Sequence, residues 1–478
     1  MMSESLAVYL DGQFVGTMMQ TRAGAIGFRY DDEYRGRTDA TPLSLSMPLA
    51  RGEHKNRPAR AFLQGLLPDS AGRLDELARE FRVSARNPFA LLSHMGMDAA
   101  GAVQIIPEGA TSSDAAARQG DVKVIDDEEL AAVVADVIAN RETWGRRDNA
   151  NVRWSLPGAQ PKIALFRTDE GHWATPNDST PTTHILKPAV PPYSDHHINE
   201  YMTMAAARHL GLEVAEDFLI NTVRGDAAFV SVRYDRTERD GRWMRLHQED
   251  ICQALAVLPE HKYQSDGGPG IAKIGDLFRA SAHTGDRQLN AEKFFDAIVF
   301  NFAAVGTDAH AKNYSLMLAG DHSTLAPLYD LGSHAPYPSK TGGGALALAM
   351  SIDGEYDIAR ISKDSLARAG VRLGLSIEHA RDRVEHITGG IVDAYAEAAE
   401  DARAILGDVE FIGVMMSSID EHATQRGWHE KRFNVLTETA PSTSATRRGQ
   451  MGLGRTVNGG NRGSFGPKTN DAPTDRLR

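Results

Sequence analysis

Apolar and polar residues alternate along the first fifty positions, and this pattern indicates a small β-rich unit. Two apolar stretches, Leu6–Leu10 and Phe14–Met18, flank Asp11-Gly12, a dipeptide that favours a tight hairpin turn. The stretch Leu43–Leu49 alternates in the same way and predicts a half-buried strand. The chain is therefore expected to begin with antiparallel strands joined by short turns.

Helical spacing of apolar residues follows this unit and alternates with further strands. Helices are predicted where cap residues precede apolar repeats, which occurs at Asp69 or Ser70, at Asn87-Pro88 and at Asp126-Asp127. The middle of the chain predicts strands at 162–166, 183–187, 217–221 and 227–234, and a helix at 197–210. Beyond about residue 245 helices dominate, with segments predicted at 291–305, 363–405 and 408–425. Mixed strands and helices of this kind predict an α+β fold.

Composition narrows the class of protein. With 478 residues, 41% hydrophobic and 24% charged, the chain is typical of a globular protein with two or three domains. Its apolar runs are shorter than the roughly 18 residues that span a bilayer, and its first residues do not resemble a signal peptide, so no membrane association is expected. Cys252 is the single cysteine, which excludes an intramolecular disulfide and makes the cytoplasm the expected location.

Charge is distributed unevenly along the chain. The net charge of −12 argues against nucleic-acid binding over the whole surface. Residues 440–478 nevertheless hold seven Lys or Arg and two Asp. Because this Gly- and Thr-rich stretch cannot form a core, it is predicted to be a disordered tail.

Two acidic motifs carry the strongest chemical signal. Asp308-Ala-His-Ala-Lys-Asn313 is followed seventeen residues later by Asp330-Leu-Gly332. An ATP-dependent phosphotransferase needs one carboxylate to deprotonate the attacking hydroxyl, and an Asn and a second carboxylate to hold magnesium. Apolar runs on both sides of Gly320–Ser323 predict a hairpin that would return Asp330 to the side of Asn313. The arrangement predicts Asp308 as a base, with Asn313 and Asp330 as magnesium ligands.

A lysine, a glutamate and a loop are candidates for the nucleotide side of such a site. Lys187 ends an apolar strand and Glu200 lies on the next helix, and kinases pair a strand lysine with a helix glutamate. The loop from Ser155 to Lys162 precedes a strand, and its amide groups could bind phosphates. A solvated lysine, a surface carboxylate and an ordinary loop are the alternative interpretations.

An ordered series of motifs resembles the HipA-type serine/threonine kinases, the toxins of bacterial toxin–antitoxin pairs. The resemblance extends from the first strands to about residue 425. It implies a two-lobed, kinase-like fold with a small N-terminal β-rich subdomain and a mainly helical C-terminal lobe. The motifs are Pro42–Leu49, Leu66–Ser70, Gly158–Lys162, His184–Pro188, Asn199–Tyr201, Gln248–Gln253, Ser265–Gly270, Thr307–Asn313 and Tyr329-Asp330.

The resemblance implies a role for each matching residue. Asp308 would be the catalytic base, Asn313 and Asp330 would bind Mg²⁺, and Lys187 would contact the ATP phosphates. Ser155 would be an autophosphorylated serine, whose modification expels the phosphate loop and silences the kinase. The remaining implied ATP-binding residues are Gly158, Ala159, Gln160, Pro161 and Lys162 in the phosphate loop, Val232, Arg233 and Tyr234 around adenine through main-chain contacts, and His310, Ala311, Lys312 and Tyr329 beside ATP.

The resemblance also implies partners and a division of the chain. The expected partner is a small HipB-like helix-turn-helix antitoxin, through which operator DNA would mainly be bound. Studied relatives phosphorylate aminoacyl-tRNA synthetases, so a protein substrate is expected. The predicted segments are a β-rich HipA-type subdomain at 1–110, a nucleotide-binding lobe at 111–245, a helical catalytic lobe at 246–430 and a basic tail at 431–478.

Other functions are compatible with parts of this pattern. A small-molecule or lipid kinase is one alternative, because D-x-H-x-x-N also resembles the lipid kinase loop. A corepressor with a vestigial kinase site is another, although the intact set of Lys187, Asp308, Asn313 and Asp330 argues against decay. A metal hydrolase using Asp308 and His310 is disfavoured, because no third close ligand is apparent.

Overall fold

The computed structural model describes residues 4–109, 115, 116, 118, 120–140, 154–191, 195–337 and 346–433. Apart from residues 431–433, the tail predicted at 431–478 lies outside the described residues. Strands and helices are mixed along the chain, which confirms the predicted α+β class. Within the described ranges, every helix is too short or too polar to cross a bilayer. The segment limits at 110 and 245 stay predictions.

The N-terminal part is a sheet covered by helices. It contains β1 Glu4–Leu10, β2 Gln13–Gln20, β3 Ile26–Tyr30, β4 Glu53–His54, β5 Asp98–Ala99 and β6 Val103–Pro107, with α1 Asp32–Arg35, α2 Asn56–Gly65, α3 Ala71–Phe81 and α4 Pro88–Met95. Five strands pair antiparallel in the order β4-β3-β2-β1-β6. The predicted hairpin turn is confirmed, and Asp11 and Gly12 have positive φ angles of 50° and 81°. The predicted starts of α3 and α4 are also confirmed, because Ser70 and Asn87 accept hydrogen bonds from their first turns.

The strand predicted at Leu43–Leu49 is wrong, because this stretch forms a turn. Leu43 and Met47 are buried, as the alternation required. However, they are held together by Tyr30, whose hydroxyl accepts from the Leu43 amide at 2.8 Å and donates to the Met47 carbonyl at 2.6 Å. The apolar alternation therefore reflects burial of a turn in the N-terminal core rather than pairing with a neighbouring strand.

A second sheet and two helices form the middle of the chain. They are β7 Val122–Val124, β8 Trp154–Ser155, β9 Ile163–Arg167, β10 Trp173–Pro176, β11 His184–Pro188, β12 Asp217–Asn221 and β13 Ala227–Val232, with α5 Asp127–Ala139 and α6 His196–His209. Six strands pair antiparallel in the order β12-β13-β11-β9-β10-β7. Strand β8 instead pairs in parallel with β5 of the N-terminal part. The elements predicted here are confirmed, with bounds that differ by one or two residues.

The C-terminal part is mainly helical. It contains β14 Arg236–Arg239, β15 Arg242–Arg245, β16 Gln248–Asp250, β17 Ser315–Ala319, β18 His322–Leu325, β19 Ala347–Ile352 and β20 Glu355–Asp357, with α7 Ile251–Ala254, α8 Ile271–Arg279, α9 Thr284–Ala303, α10 Lys363–Leu373, α11 Ile377–Leu406 and α12 Glu410–Gln425. The helical segment predicted at 363–405 is confirmed and consists of two helices, α10 and α11. Gly374, with a φ of 108°, ends α10, and the side chain of Ser376 caps α11. The predicted hairpin after Asn313 is confirmed as β17 and β18.

A buried ionic cluster joins the N-terminal part to the segment from Arg233 to Arg245, which follows β13. The carboxylate of Asp98 in β5 lies 3.4, 2.9 and 3.1 Å from the guanidinium groups of Arg233, Arg236 and Arg245. Asp235 contacts Arg233 and Arg236, and all five side chains are buried. Because loss of one partner would leave a buried charge uncompensated, this cluster holds the two parts in a defined arrangement.

Candidate active site

The loop Thr307–Asn313 follows α9, whose buried aromatic residues anchor it in the core of the C-terminal part. Two hydrogen bonds to the carbonyl of Asp308 close the loop. One comes from the amide of His310 at 2.7 Å and the other from Nδ2 of Asn313 at 2.9 Å. The carboxylate of Asp308 accepts a further hydrogen bond from the hydroxyl of Tyr263. The loop therefore holds Asp308 and Asn313 side by side.

The carboxyl group of Asp308 is suited to proton transfer near neutral pH. Burial raises the pKa of Asp308 to about 7, against the opposing effects of Lys262 and the Tyr263 hydroxyl. A base acts best when its pKa lies near the working pH. The negative charge of Asp330 also contributes to the raised pKa of Asp308, which places the two carboxylates in one electrostatic environment.

Replacing Tyr263 with Phe is expected to move the acid limb of the pH–rate profile for phosphotransfer to higher pH. The Tyr263 hydroxyl stabilises the charged form of Asp308, so its removal raises the pKa of Asp308 above about 7. Because a base must be deprotonated to accept a proton, the rate should fall at a higher pH than in wild type. Rates measured from about pH 5 to about pH 9 check this. Tyr34→Phe, which loses a hydrogen bond to Thr41 in the N-terminal part, is the control, and an unshifted limb in Tyr263→Phe would contradict the role of Asp308.

Lys187, Glu200 and Asp330 form a chain of charges, in which Lys187 and Glu200 are buried and Asp330 is half-buried. The Nζ of Lys187 lies 2.5 Å from Oε1 of Glu200 and 2.7 Å from Oδ1 of Asp330. Burial lowers the pKa of Lys187, but the two carboxylates outweigh it and raise this pKa overall. Burial raises the pKa of Glu200 to about 7. The structure thus pairs the strand lysine with the helix glutamate, as predicted, and extends the pair to Asp330.

Asp330 differs from Glu200 in the direction of its pKa shift and in its backbone conformation. Burial raises the pKa of Asp330, but Lys187 and Lys162 outweigh it, so the pKa lies well below its ordinary value. Its φ of 57° lies in the left-handed region that residues other than glycine seldom adopt. Such strain persists where surrounding contacts fix the residue, which is common at functional sites. Asp330 is thus a carboxylate whose charged form is favoured by two lysines and whose backbone is held in an uncommon conformation.

The loop Gly158–Lys162 requires glycine at its first position. Gly158 has a φ of 106° and forms a backbone bridge with Pro68 of the N-terminal part. A Cβ on Gly158 would lie 2.5 Å from the Nζ of Lys162, which is closer than atoms can approach. The glycine therefore permits both the turn and the inward position of the lysine.

The other polar residues of this loop are buried. The Nζ of Lys162 donates to the Pro157 carbonyl at 2.6 Å, and burial together with the charge of Lys187 lowers the pKa of Lys162 to about 8. Gln160 is buried, and its Oε1 has no hydrogen-bond partner among the described residues. An unsatisfied buried oxygen such as that of Gln160 calls for an explanation, and a bound polar ligand or an ordered water would supply one. Ala159 and Pro161 complete this loop.

Ser155 lies under the N-terminal part. Its side chain is fully buried, and its hydroxyl donates to the carbonyl of Leu66 at 2.7 Å. Its strand, β8, pairs with β5. The predicted modification site is therefore enclosed while β8 stays in this position.

The segment predicted to contact adenine, Val232–Tyr234, lies at the end of β13. The backbone amides of Val232 and Arg233 already donate to carbonyl groups of neighbouring segments, and the side chain of Arg233 belongs to the buried ionic cluster. The ring of Tyr234 stacks on Tyr329, with centroids 5.5 Å apart. The Tyr329 hydroxyl in turn donates to the carbonyl of Lys312 at 2.9 Å. The two tyrosines thus lie together beside the loop of Asp308. The Arg233 side chain, in contrast, is committed to the buried ionic cluster.

Asp69 is a further candidate that local patterns did not reveal. Its carboxylate lies 2.8 Å from Nζ of Lys262 and 2.7 Å from Nζ of Lys312, and its amide donates to the Gly158 carbonyl at 2.9 Å. Burial raises the pKa of Asp69, but the two lysines outweigh it and lower this pKa overall. One residue of the N-terminal part therefore contacts both loops of the site. From its local sequence, Asp69 is predicted only to lie at the start of a helix. Its position in the motif Leu66–Ser70 was the one feature that could have identified it as a site residue.

The turn Ser265–Gly270 shapes the segment that carries Lys262 and Tyr263. A Cβ on Gly268 would lie 2.6 Å from the carbonyl oxygen of Tyr263. Gln264 exchanges two hydrogen bonds of 2.9 Å with Ser351 of β19, which fixes the base of the turn. Gly268 is thus required because the backbone folds tightly against the segment whose Lys262 and Tyr263 contact Asp69 and Asp308.

His310 does not form a metal site with Asp308. Its ring is buried, lies edge-on to Tyr263 at 4.9 Å and has a pKa held well below its ordinary value by burial. The adjacent Ala311 donates its amide to the Lys262 carbonyl at 3.3 Å. In the part of the chain that the structure describes, the group of three side chains able to hold a metal includes neither Asp308 nor His310. Among the residues that the structure describes, no third ligand therefore joins Asp308 and His310.

Family models match both halves of this chain. The HipA-like C-terminal domain matches residues 154–398, and the HipA N-terminal domain matches residues 6–106. The chain belongs to the HipA family. The N-terminal HipA match contains Asp69, and the C-terminal match contains Asp308 and Asp330.

Individual HipA-family relatives are similar over most of the chain. The putative kinase Y4mE of Sinorhizobium fredii is 34% identical over 416 residues, which cover 87% of this chain and 96% of the relative. The serine/threonine-protein kinase toxin HipA of Shewanella oneidensis is 31% identical over 370 residues, or 74% of this chain and 80% of the relative. A chain from the solved Shewanella oneidensis MR-1 complex of HipA, HipB and operator DNA matches with a TM-score of 0.73 and 26% identity, covering 88% of this chain and 97% of that one. These matches confirm the family and the kinase-like fold predicted from the motifs.

Proposed function

We propose that this HipA-family protein is a Mg-ATP-dependent protein serine/threonine kinase that acts as the toxin of a toxin–antitoxin pair. The observation that carries the proposal is the chain of charges formed by Lys187, Glu200 and Asp330, in the same electrostatic environment as Asp308 with its pKa of about 7. Kinases use a lysine paired with a helix glutamate, a magnesium-binding aspartate and a separate aspartate as base. The contacts of Lys187 with Glu200 and Asp330, and the raised pKa of Asp308, support this proposal.

The residues suit a magnesium nucleotide. Asp330 supplies a carboxylate that stays charged, and Asn313 supplies Oδ1, because its Nδ2 is committed to the Asp308 carbonyl. Oxygen atoms of this kind are the ligands that Mg²⁺ prefers. Lys162 and Lys187 supply buried ammonium groups for phosphates. Bound Mg-ATP would supply the phosphoryl group that is transferred.

Asp308 would orient the hydroxyl of the substrate and accept its proton. Tyr263 holds the carboxylate in place, and Asn313 holds the backbone of the same residue. Glu200 contacts the ammonium group of Lys187 and fixes its position. The lysine therefore needs little rearrangement to bind a phosphate. The protein would thus position the reacting groups and compensate the charge of the transferred phosphoryl group, which is how phosphoryl transfer is catalysed in general.

We also propose that autophosphorylation of Ser155 silences the kinase. A phosphate adds about −1.5 to −2 charge and would sit next to the Leu66 carbonyl in a fully buried position. Burial of such a charge without a partner is prohibitive, so β8 would have to separate from β5. The loop Gly158–Lys162, which follows three residues later, would move with it.

The proposed partners follow from the relatives. A HipB-like helix-turn-helix antitoxin is proposed because the similar Shewanella oneidensis structure is a complex of HipA with HipB and operator DNA. Operator DNA would then be bound mainly through the antitoxin. A protein substrate, such as an aminoacyl-tRNA synthetase or another translation component, is proposed from the resemblance and from the serine/threonine kinase name of a relative.

Mg-ATP is expected to stabilise the wild-type protein against heat. A ligand at a hundred times its dissociation constant adds roughly 2.7 kcal/mol to the free energy of unfolding. Asp330→Asn should lose most of this ligand-induced gain, because the variant lacks the charged metal ligand. Asp382→Asn, which changes an exposed aspartate of α11, should keep the gain.

The comparison uses the shift in Tm between protein with and without Mg-ATP, so that any direct effect of a substitution cancels. An intact-mass measurement first selects wild-type protein without phosphate on Ser155. A wild-type Tm that does not respond to Mg-ATP would contradict the proposed function.

A further inference from the structure

The helix α6 contacts the segment that carries Asp330 through Asn199, a residue to which the proposed chemistry assigns no role. The Nδ2 of Asn199 donates to the Ser333 carbonyl at 2.7 Å, and its Oδ1 accepts from the Ser333 amide at 2.8 Å. The side chain of Asn199 is fully buried, so water does not compete for either hydrogen bond. One side chain therefore satisfies both backbone groups of Ser333, which follows Asp330 by three positions.

The same segment is also fixed on the other side of Asp330. The amide of Leu328 donates to the Glu213 carbonyl at 2.9 Å, and the Leu328 carbonyl accepts from the Ala215 amide at 2.8 Å. Asp330 thus lies between two anchored positions, Leu328 and Ser333. Its φ of 57° is strained for a residue other than glycine, and such a conformation persists only where surrounding contacts hold it. The hydrogen bonds of Ser333 are among the contacts that do so.

Two hydroxyl groups hold the side chain of Asn199 in one orientation. Thr203, on the next turn of α6, donates to Oδ1 of Asn199 at 3.3 Å, and the Tyr395 hydroxyl of α11 donates to Thr203 at 3.1 Å. Both hydroxyl residues are buried. Because Oδ1 of Asn199 accepts from Thr203 and from the Ser333 amide, Nδ2 is left as the donor to the Ser333 carbonyl. The contact with the Asp330 segment is therefore fixed from α6 and from α11.

We propose that Asn199 is a positioning residue that sets the place of the magnesium-binding carboxylate of Asp330. The inference rests on the proposed function. Asn199 and Glu200 are adjacent in α6, and Glu200 contacts Lys187, which in turn contacts Asp330 at 2.7 Å. One helix therefore positions both the phosphate-binding lysine and the metal-binding carboxylate. Without the hydrogen bonds of Asn199, the strained backbone at Asp330 relaxes and its carboxylate is displaced.

The test measures metal binding by the full-length protein in the presence of a non-hydrolysable ATP analogue. Mn²⁺ takes the same oxygen ligands as Mg²⁺, and its electron paramagnetic resonance separates free from bound ion. Asn199→Ala should weaken Mn²⁺ binding by about 10- to 100-fold, as loss of a group that orients a metal ligand usually does. Binding of the analogue without metal, measured by calorimetry in chelator, should be retained, whereas a general loss of structure would weaken both.

Asn290→Ala in α9 is the matched control. Asn290 is equally buried, and its side chain makes the same pair of backbone hydrogen bonds, to the Ser323 carbonyl at 2.8 Å and from the Leu325 amide at 2.6 Å. This variant should lose Tm to a similar extent, yet bind Mn²⁺ as wild type does, because β18 stays paired with β17. An equal loss of Mn²⁺ affinity in Asn290→Ala would overturn the proposal.

If Asn199→Ala does not fold, Asn199→Ser replaces it. The shorter hydroxyl can restore one of the two hydrogen bonds at most, so Mn²⁺ affinity should fall in the same direction but by less. Wild-type Mn²⁺ affinity in a folded Asn199 variant would overturn the proposal. A wild-type protein that binds Mn²⁺ with the analogue but labels no protein would contradict the kinase function alone, and one that binds no Mn²⁺ would overturn both.

Discussion

Replacing Asp308 with Asn is expected to reduce phosphotransfer to protein by a factor on the order of 10² to 10⁴. The amide has nearly the same shape as the carboxyl group but cannot accept the proton of the attacking hydroxyl. The hydrogen bonds that close the loop go to the backbone carbonyl of Asp308, so they remain in the variant. Transfer from labelled ATP to proteins of a cell lysate measures the effect.

Asp308→Asn should retain the Tm increase that Mg-ATP gives to wild type, because the base acts on the hydroxyl rather than on the nucleotide. Asp382→Asn is again the matched control and should label proteins normally. Turnover at the wild-type rate in Asp308→Asn would refute the assignment of the base. Label that appears only in small molecules with wild type would instead favour the small-molecule or lipid kinase alternative.

Replacing Asp69 with Ala is expected to lower the free energy of unfolding by about 3–5 kcal/mol and to impair phosphotransfer as well. The substitution leaves the buried ammonium groups of Lys262 and Lys312 without their shared carboxylate. It also removes a contact that sets the position of the loop around Asp308. Calorimetric Tm values and lysate labelling measure the two effects.

Asp75→Ala is the matched control for this variant, because Asp75 is an exposed aspartate on the following helix and should change stability by no more than about 0.5 kcal/mol. Adding Lys312→Met to Asp69→Ala should recover part of the lost stability, since it removes one of the two unpaired cations. An Asp69→Ala protein with the Tm of wild type would show that the lysines do not depend on this carboxylate.

Elements determined by neighbouring residues were predictable from the sequence. The turn at Asp11-Gly12, the caps at Ser70 and Asn87 and the hairpin between Asn313 and Asp330 depend on residues a few positions apart. The predicted strand at Leu43–Leu49 failed for the opposite reason. Its backbone is held in a turn by hydrogen bonds with Tyr30, which lies outside the window in which alternation can be judged.

The same distinction applies to the site. Lys187 and Asp330 were chosen from motifs, and the structure brings them within 2.7 Å across 143 positions of sequence. Asp69 contacts Lys312 across 243 positions, and no local pattern marks either residue as the partner of the other. The contact of Tyr263 with Asp308 could not be predicted from the sequence either, because it depends on how a glycine-rich turn folds.

Asp69 and Asp98 both come from the N-terminal part, and together they contact two lysines and three arginines of the following chain. A gene truncated at its 5′ end would encode a protein without Asp69 and Asp98, and the buried lysines and arginines that contact them would lose these carboxylates. The two coding regions are therefore expected to be inherited as a unit. Hybrids created by recombination between paralogues should survive selection only when the donated region brings both acidic residues with it.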